Sequence, residues 1–109
     1  MMLDGLFGNA TAAKVLTFVA ANRECYAQEL ADRFDVSLSS VQNQLKRLAD
    51  GGVLVGVERG RTRLYSFNPR FPLARELESM LRRALELYPE RERERYTARR
   101  RPRARGKRL

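Results

Sequence analysis

The stretch QELADRFDVSLSSVQNQLKRLADGG, residues 28–52, narrows the folds open to this chain more than any other segment. It holds two amphipathic helices with three residues between them. Ala27, Leu30, Ala31 and Phe34 fall on one side of a short helix over 27–34. Asp35-Val36-Ser37 interrupts it, Asp35 suiting the turn and Ser37 the N-cap of the next helix. In that second helix, 38–50, Leu38, Val41, Leu45 and Leu48 lie within about 80° of arc at 100° per residue. Gly51-Gly52 supplies the left-handed residue that closes it. Two helices joined this tightly form a helix-turn-helix pair.

The flanking segments supply what the pair needs in order to fold. Over 9–21, Ala12, Val15, Leu16 and Val19 recur at helical spacing, with Asn9 and Thr11 both suited to cap the start. Asn22-Arg23 breaks that pattern, and Glu24-Cys25-Tyr26 is short enough to be a strand-like connector. Val53–Glu58 and Arg63–Phe67 are rich in β-branched and aromatic residues, and the basic Arg59-Gly60-Arg61-Thr62 lies between them. This reads as a hairpin that Asn68-Pro69 ends, since proline lacks a ladder donor. The last helix is expected over 72–88. Its apolar residues span about 160°, wider than the ~100° that one core requires. Such a helix packs on two bodies, its own domain and something else.

At 109 residues the chain is long enough for one modest core, so a single domain is expected. Its net charge of +9 is unevenly spread: residues 1–89 carry 12 Lys and Arg against 10 Asp and Glu, and residues 90–109 carry 10 against 3. The reading is a nearly balanced domain over 1–89 and a basic tail over 90–109. Within the tail, ERERER has the alternating charge that extends a helix by a turn or two, and TARRRPRARGKRL is expected to be disordered. No apolar run reaches the ~18 residues that cross a bilayer. The N-terminus carries Asp4 where a secretory signal wants basic residues. A lone Cys25 fits a reducing compartment, so the expected location is cytoplasmic. One cysteine and no histidine leave no ligand set for a metal, no cofactor is expected, and no nucleophile–base pair can be assembled for an enzyme.

The chemistry therefore lies on the polar side of helix 38–50. With the buried stripe centred between Val41 and Leu45, Asn43 points away from it, flanked by Ser39 and Lys46. Short amides and hydroxyls reach base edges in the major groove, where each base pair shows its own donors and acceptors. Ser39, Ser40, Gln42 and Asn43 are the candidates for base readout. Gln44, Lys46 and Arg47 are assigned to phosphates, as are Arg59, Arg61 and Arg63 around the hairpin tip. A merely solvated face would also be polar, but it is usually of mixed charge, and here only Asp50 and Glu58 oppose these cations.

From LFGNATAAKVLTFVAANRECYAQELADRFDVSLSSVQNQLKRLADGGVLVGVERGRTRLYSFNP the sequence resembles the winged helix-turn-helix transcriptional regulators, in particular the ArsR-like group and its MarR-like relatives. QELADRFDVSLSSVQNQLKRLADGGVL carries the helix-turn-helix and RGRTRLYSFNP the wing, and the likeness covers about residues 6–88. It implies a mainly α fold with a small β-hairpin and a C-terminal dimerisation helix. It also implies a homodimer on an inverted repeat of double-stranded DNA, with 38–50 as recognition helix. Leu73, Leu77, Met80, Leu81, Ala84, Leu85 and Tyr88 would then form the dimer interface. LFG and the NP after the wing are also similar to winged-helix domains found beside small nucleotidyltransferases; any such partner would be a separate chain. Metal-sensing ArsR members carry a cysteine pair, or His and acidic ligands, and this sequence has neither.

Two other readings remain beside a sequence-specific regulator, most simply a repressor. One is a nucleoid or chromatin-type protein that binds DNA through its tail with little sequence preference. The other is a winged helix used for protein or RNA contacts, since fold does not fix function.

Overall fold

The computed structural model describes residues 2–97, and its core is organised around one helix buried on nearly every side. The elements run α1 (Met2–Phe7), α2 (Ala10–Asn22), α3 (Ala27–Phe34), α4 (Leu38–Asp50), β1 (Leu54–Arg59), β2 (Thr62–Phe67), α5 (Ala74–Glu86) and α6 (Glu90–Thr97). The central helix is α2, against which α1, α4, α5 and α6 all pack. The sequence suggested a single buried stripe, but Ala13, Thr17, Phe18 and Ala20 are buried as well. A helix that is apolar all round belongs in an interior, and its small alanines let neighbours approach. Asn9 rather than Thr11 caps it, accepting the Ala12 N–H at 2.8 Å. Asn9→Ala is expected to cost about 1 kcal/mol, read as a fall of some 4–8 °C in Tm.

The helix-turn-helix forms where the spacing put it. Asp35 takes the left-handed conformation (φ 54°, ψ 49°) that turns the chain after α3. Ser37 caps α4 by accepting the Ser40 N–H at 3.1 Å. Of the expected stripe, Val41 and Leu45 are fully buried and Leu48 packs against the core, while Leu38 is 37% exposed. The strands pair antiparallel from Leu54↔Phe67 to Arg59↔Thr62. Gly60, at φ 64°, takes the first position of the two-residue turn, a conformation that suits glycine. The connector at Cys25 pairs with Tyr65 by two backbone hydrogen bonds of 3.0 and 2.8 Å, which ties the wing root to the helical core.

The C-terminal third departs from expectation in two ways. The first concerns α5, which spans 74–86 and divides its wide apolar arc: Leu81, Ala84 and the following Tyr88 turn into the chain's own core. These three were expected at a dimer interface and instead pack within the protomer's own core. Leu77 and Leu85 are partly buried against the core, while Leu73, Met80 and Leu87 stay exposed. A helical wheel gives the width of an apolar arc but not which part of it the protomer keeps.

The second concerns residues 90–97, which form a separate helix rather than a prolonged α5 or the start of a disordered tail. Pro89 is the cause, because the residue before a proline is disfavoured in the helical region. The Pro89 carbonyl then accepts the Glu92 and Arg93 N–H groups, both at 2.9 Å, and starts α6. This helix folds back so that Tyr96 is buried, its ring centroid 4.9 Å from that of Phe34 and 6.0 Å from that of Tyr88. Asn22 Nδ2 donates to the Tyr96 carbonyl at 2.8 Å and Arg33 Nη1 to that of Arg95 at 3.2 Å. The rest of the expected disordered tail, residues 98–109, lies outside the described residues. Among the described residues no helix is long and apolar enough to cross a membrane.

Candidate nucleic-acid interface

With Val41 and Leu45 anchored inward, the opposite side of α4 must face outward. Ser39, Ser40, Gln42, Asn43, Lys46 and Arg47 are all exposed, and Gln44 is half-buried. The hydroxyls crowd at the helix start, where Ser37 Oγ donates to Ser40 Oγ at 2.8 Å. Ser40 thus accepts within the cap and keeps its own proton to offer outward. Arg47 Nη1 donates to Gln44 Oε1 at 3.2 Å, which joins the two at the edge of the face. Lys46 Nζ pairs with Asp50 at 2.9 Å, both side chains largely in solvent. An exposed pair of this kind contributes at most about 1 kcal/mol, so Lys46 can exchange Asp50 for a stronger anion at little cost.

The wing divides its three arginines. Arg59 and Arg61 flank Gly60 at the tip, exposed and without a carboxylate partner among the described residues. Arg63 is different: Nη1 pairs with Glu58 Oε2 at 2.9 Å, and its guanidinium carbon lies 6.0 Å from the Tyr65 ring centroid. Tip and helix are therefore two separate cationic edges. A groove of about 360 Å³ runs between them, bounded also by Tyr26 and Gln28 at the start of α3. The sequence reading missed these last two because it judged each helix by its own polar face. Residues at the start of α3 matter only once the turn has brought them beside α4.

A second surface lies elsewhere. Met2 and Leu6 of α1 and Leu73, Met80 and Leu87 around α5 are 54%, 62%, 59%, 38% and 57% exposed. Two apolar clefts meet at Met80. One is lined by Leu16, Leu48, Phe71 and Leu77, the other by Leu3, Leu6, Ala84 and Leu87. The sequence reading anticipated the α5 side and missed α1. The signal for α1 was present in Leu3, Leu6 and Phe7 at i, i+3, i+4, though Gly5 weakens it.

Residues 7–57 match the model of a family described as a helix-turn-helix domain. No curated protein matched the sequence. Among solved structures the fold is similar to reduced HlyU from Vibrio cholerae N16961, with a TM-score of 0.62 and 20% identity over 81% of this chain and 86% of that one. It is similar to AntR, described as an antimony-specific transcriptional repressor, with a TM-score of 0.60 and 26% identity over 79% and 73%. A third, the adhesin competence repressor AdcR from Streptococcus pyogenes, aligns at 0.56 with 18% identity over 80% and 69%.

Proposed function

We propose that this chain, a winged helix-turn-helix protein that resembles the ArsR-like regulators, is a DNA-binding transcriptional regulator that acts as a homodimer on an inverted repeat. The observation that carries this is the α4 face. Asn43 stands at its outward centre with Ser39 and Lys46 beside it, Ser40 and Arg47 lie exposed on its shoulder, and Arg59 and Arg61 are exposed on the adjacent wing tip. Helix α4 enters the major groove, where Ser39, Ser40, Gln42 and Asn43 read base edges. Gln44, Lys46, Arg47, Arg59 and Arg61 bind phosphates or the neighbouring minor groove. The apolar face of α1 and α5 pairs two protomers, setting their recognition helices about 34 Å apart, one turn of DNA. Repression is the direction we assign, following AntR. The ten Lys and Arg of residues 90–109 add affinity independent of sequence.

A mobility shift at ~150 mM salt with excess unspecific DNA tests the assignment. Binding to one palindromic site is expected. Asn43→Ala should cost about 1–3 kcal/mol on that site and leave unspecific binding nearly unchanged. Uniform retardation of all fragments, indifferent to Asn43→Ala and abolished on removing residues 98–109, would instead assign a sequence-indifferent DNA coat.

A further inference from the structure

We infer that the groove between the wing and α4 seats one backbone phosphate of the bound DNA, and that Glu58, Tyr65 and Gly56 hold Arg63 ready for it. This rests on the DNA-binding reading and adds to it a defined subsite and three positioning residues. The groove is lined by Tyr26, Gln28, Gln42, Arg61, Thr62 and Arg63 above an apolar floor; no acidic residue lines it, and Glu58 pairs with Arg63 at 2.9 Å. Two cations and several neutral hydrogen-bonding groups call for an anionic, acceptor-rich ligand. Gln42 and Arg61 also belong to the two surfaces assigned to DNA, so the backbone strand running between them is the source of that anion.

Arg63 is built into this groove rather than left on the tip. The register sets Arg63 opposite Glu58 and Tyr65 opposite Gly56, so the four share one face of the hairpin. A Cβ added at Gly56 would lie 2.7 Å from Arg63 Nε and 3.0 Å from Tyr65 Cε2. The guanidinium therefore occupies the space that a side chain at position 56 would fill. Gly56 is not among the residues with positive φ, so backbone conformation does not explain a glycine inside this strand; close approach does. The exposed Glu58 pair adds little stability, and its effect is orientation. Only one of five guanidinium N–H groups is engaged with Glu58, and Arg63 makes no other hydrogen bond among the described residues.

The test uses the full chain on its selected operator, with single phosphates replaced one at a time by neutral methylphosphonates. One replacement should weaken wild type about tenfold or more and leave Arg63→Ala with no further loss. Arg63→Ala itself should lose the same factor and lower the log–log salt slope by about 0.9. Gly56→Ala should reproduce that loss and add nothing on top of Arg63→Ala; Glu58→Gln, which keeps the side-chain volume, should show part of it. Thermal melts confirm that each variant is folded. Inorganic phosphate at matched ionic strength should not compete, and competition lost in Arg63→Ala would make this a free-anion site instead. An unchanged salt slope, or methylphosphonate losses equal in wild type and Arg63→Ala, overturns the phosphate seat. A sequence preference lost on Asn43→Ala would still stand in that case. Failure of wild type to bind DNA at all removes both readings.

Discussion

Replacing Tyr96 by alanine is expected to lower the midpoint of thermal unfolding by about 15–30 °C, a loss of roughly 3–5 kcal/mol. Helix α6 reads ERERERYT, and Tyr96 is its buried residue, at 2% exposure. Its ring closes the core between Phe34 and Tyr88, and its backbone carbonyl receives Asn22. Without the ring, the polar remainder of α6 has little reason to stay, and Phe34 loses its cover. Against the usual 5–15 kcal/mol of a folded domain, this is a large share. A melt within a few degrees of wild type would show that α6 is not part of the cooperative unit.

The same residue gives the molecule a defined alkaline limit. Burial, above all, raises the Tyr96 phenol from its ordinary value near 10. Tyr88, Glu92 and Asp4 add to the rise, and Arg95 opposes it. The folded state holds this proton more tightly than the unfolded chain does. Its contribution is complete below the unfolded value of about 10 and is lost as pH climbs from there towards the folded one. Tyr96→Phe keeps the ring and removes the ionisation. Melts from pH 8 to 11 should therefore fall less steeply for the phenylalanine variant than for wild type; parallel curves would assign the alkaline loss to other groups.

How much of this was legible in the sequence depended on whether a signal was local. Ser37, Asp35 and the Val41/Leu45 spacing specify α3, the turn and α4 through short-range geometry, and the structure follows them residue by residue. The hairpin was equally readable, within one residue at each strand end. Pro89 was a local signal too, but the regular charges of ERERER masked it. Nothing local could show that Tyr96 returns to Phe34, 62 positions away in sequence, because that contact exists only after α2 and α3 have packed.

The outward residues of α4 could be assigned from one helical wheel, since the buried stripe fixes the opposite side. The wing could not be treated that way. All three arginines looked alike in ERGRTR, and strand register separated Arg63 from Arg59 and Arg61 by placing it beside Glu58 and over Gly56. Likewise the groove involves three elements, and no periodicity within one of them announces a surface shared by all. The same limit applies to α5, whose wheel gives the width of its apolar arc and not that Leu81 and Ala84 turn inward while Met80 stays exposed.

That division governs the effect expected to be largest, the loss of operator affinity when Leu6→Glu and Met80→Glu are combined. The variant is expected to be a folded monomer whose affinity for the full palindrome falls about 10²–10⁴-fold, to that of a single half-site. Monomeric proteins rarely leave large contiguous apolar patches in water, and Met2, Leu6, Leu73, Met80 and Leu87 together make a face that two-fold pairing would cover with its own copy. Each glutamate would appear twice across such an interface, which puts four carboxylates into an apolar contact. Both positions are exposed in the protomer, so the fold should survive. Leu81→Glu would be a poor choice by comparison, because Leu81 is 0% exposed within the core and its charge would unfold the chain. Light scattering should report a halved mass with little change in Tm, and half-site binding should match wild type. A wild-type mass of one chain, or a double variant that still pairs, would show that this face serves something other than a second copy.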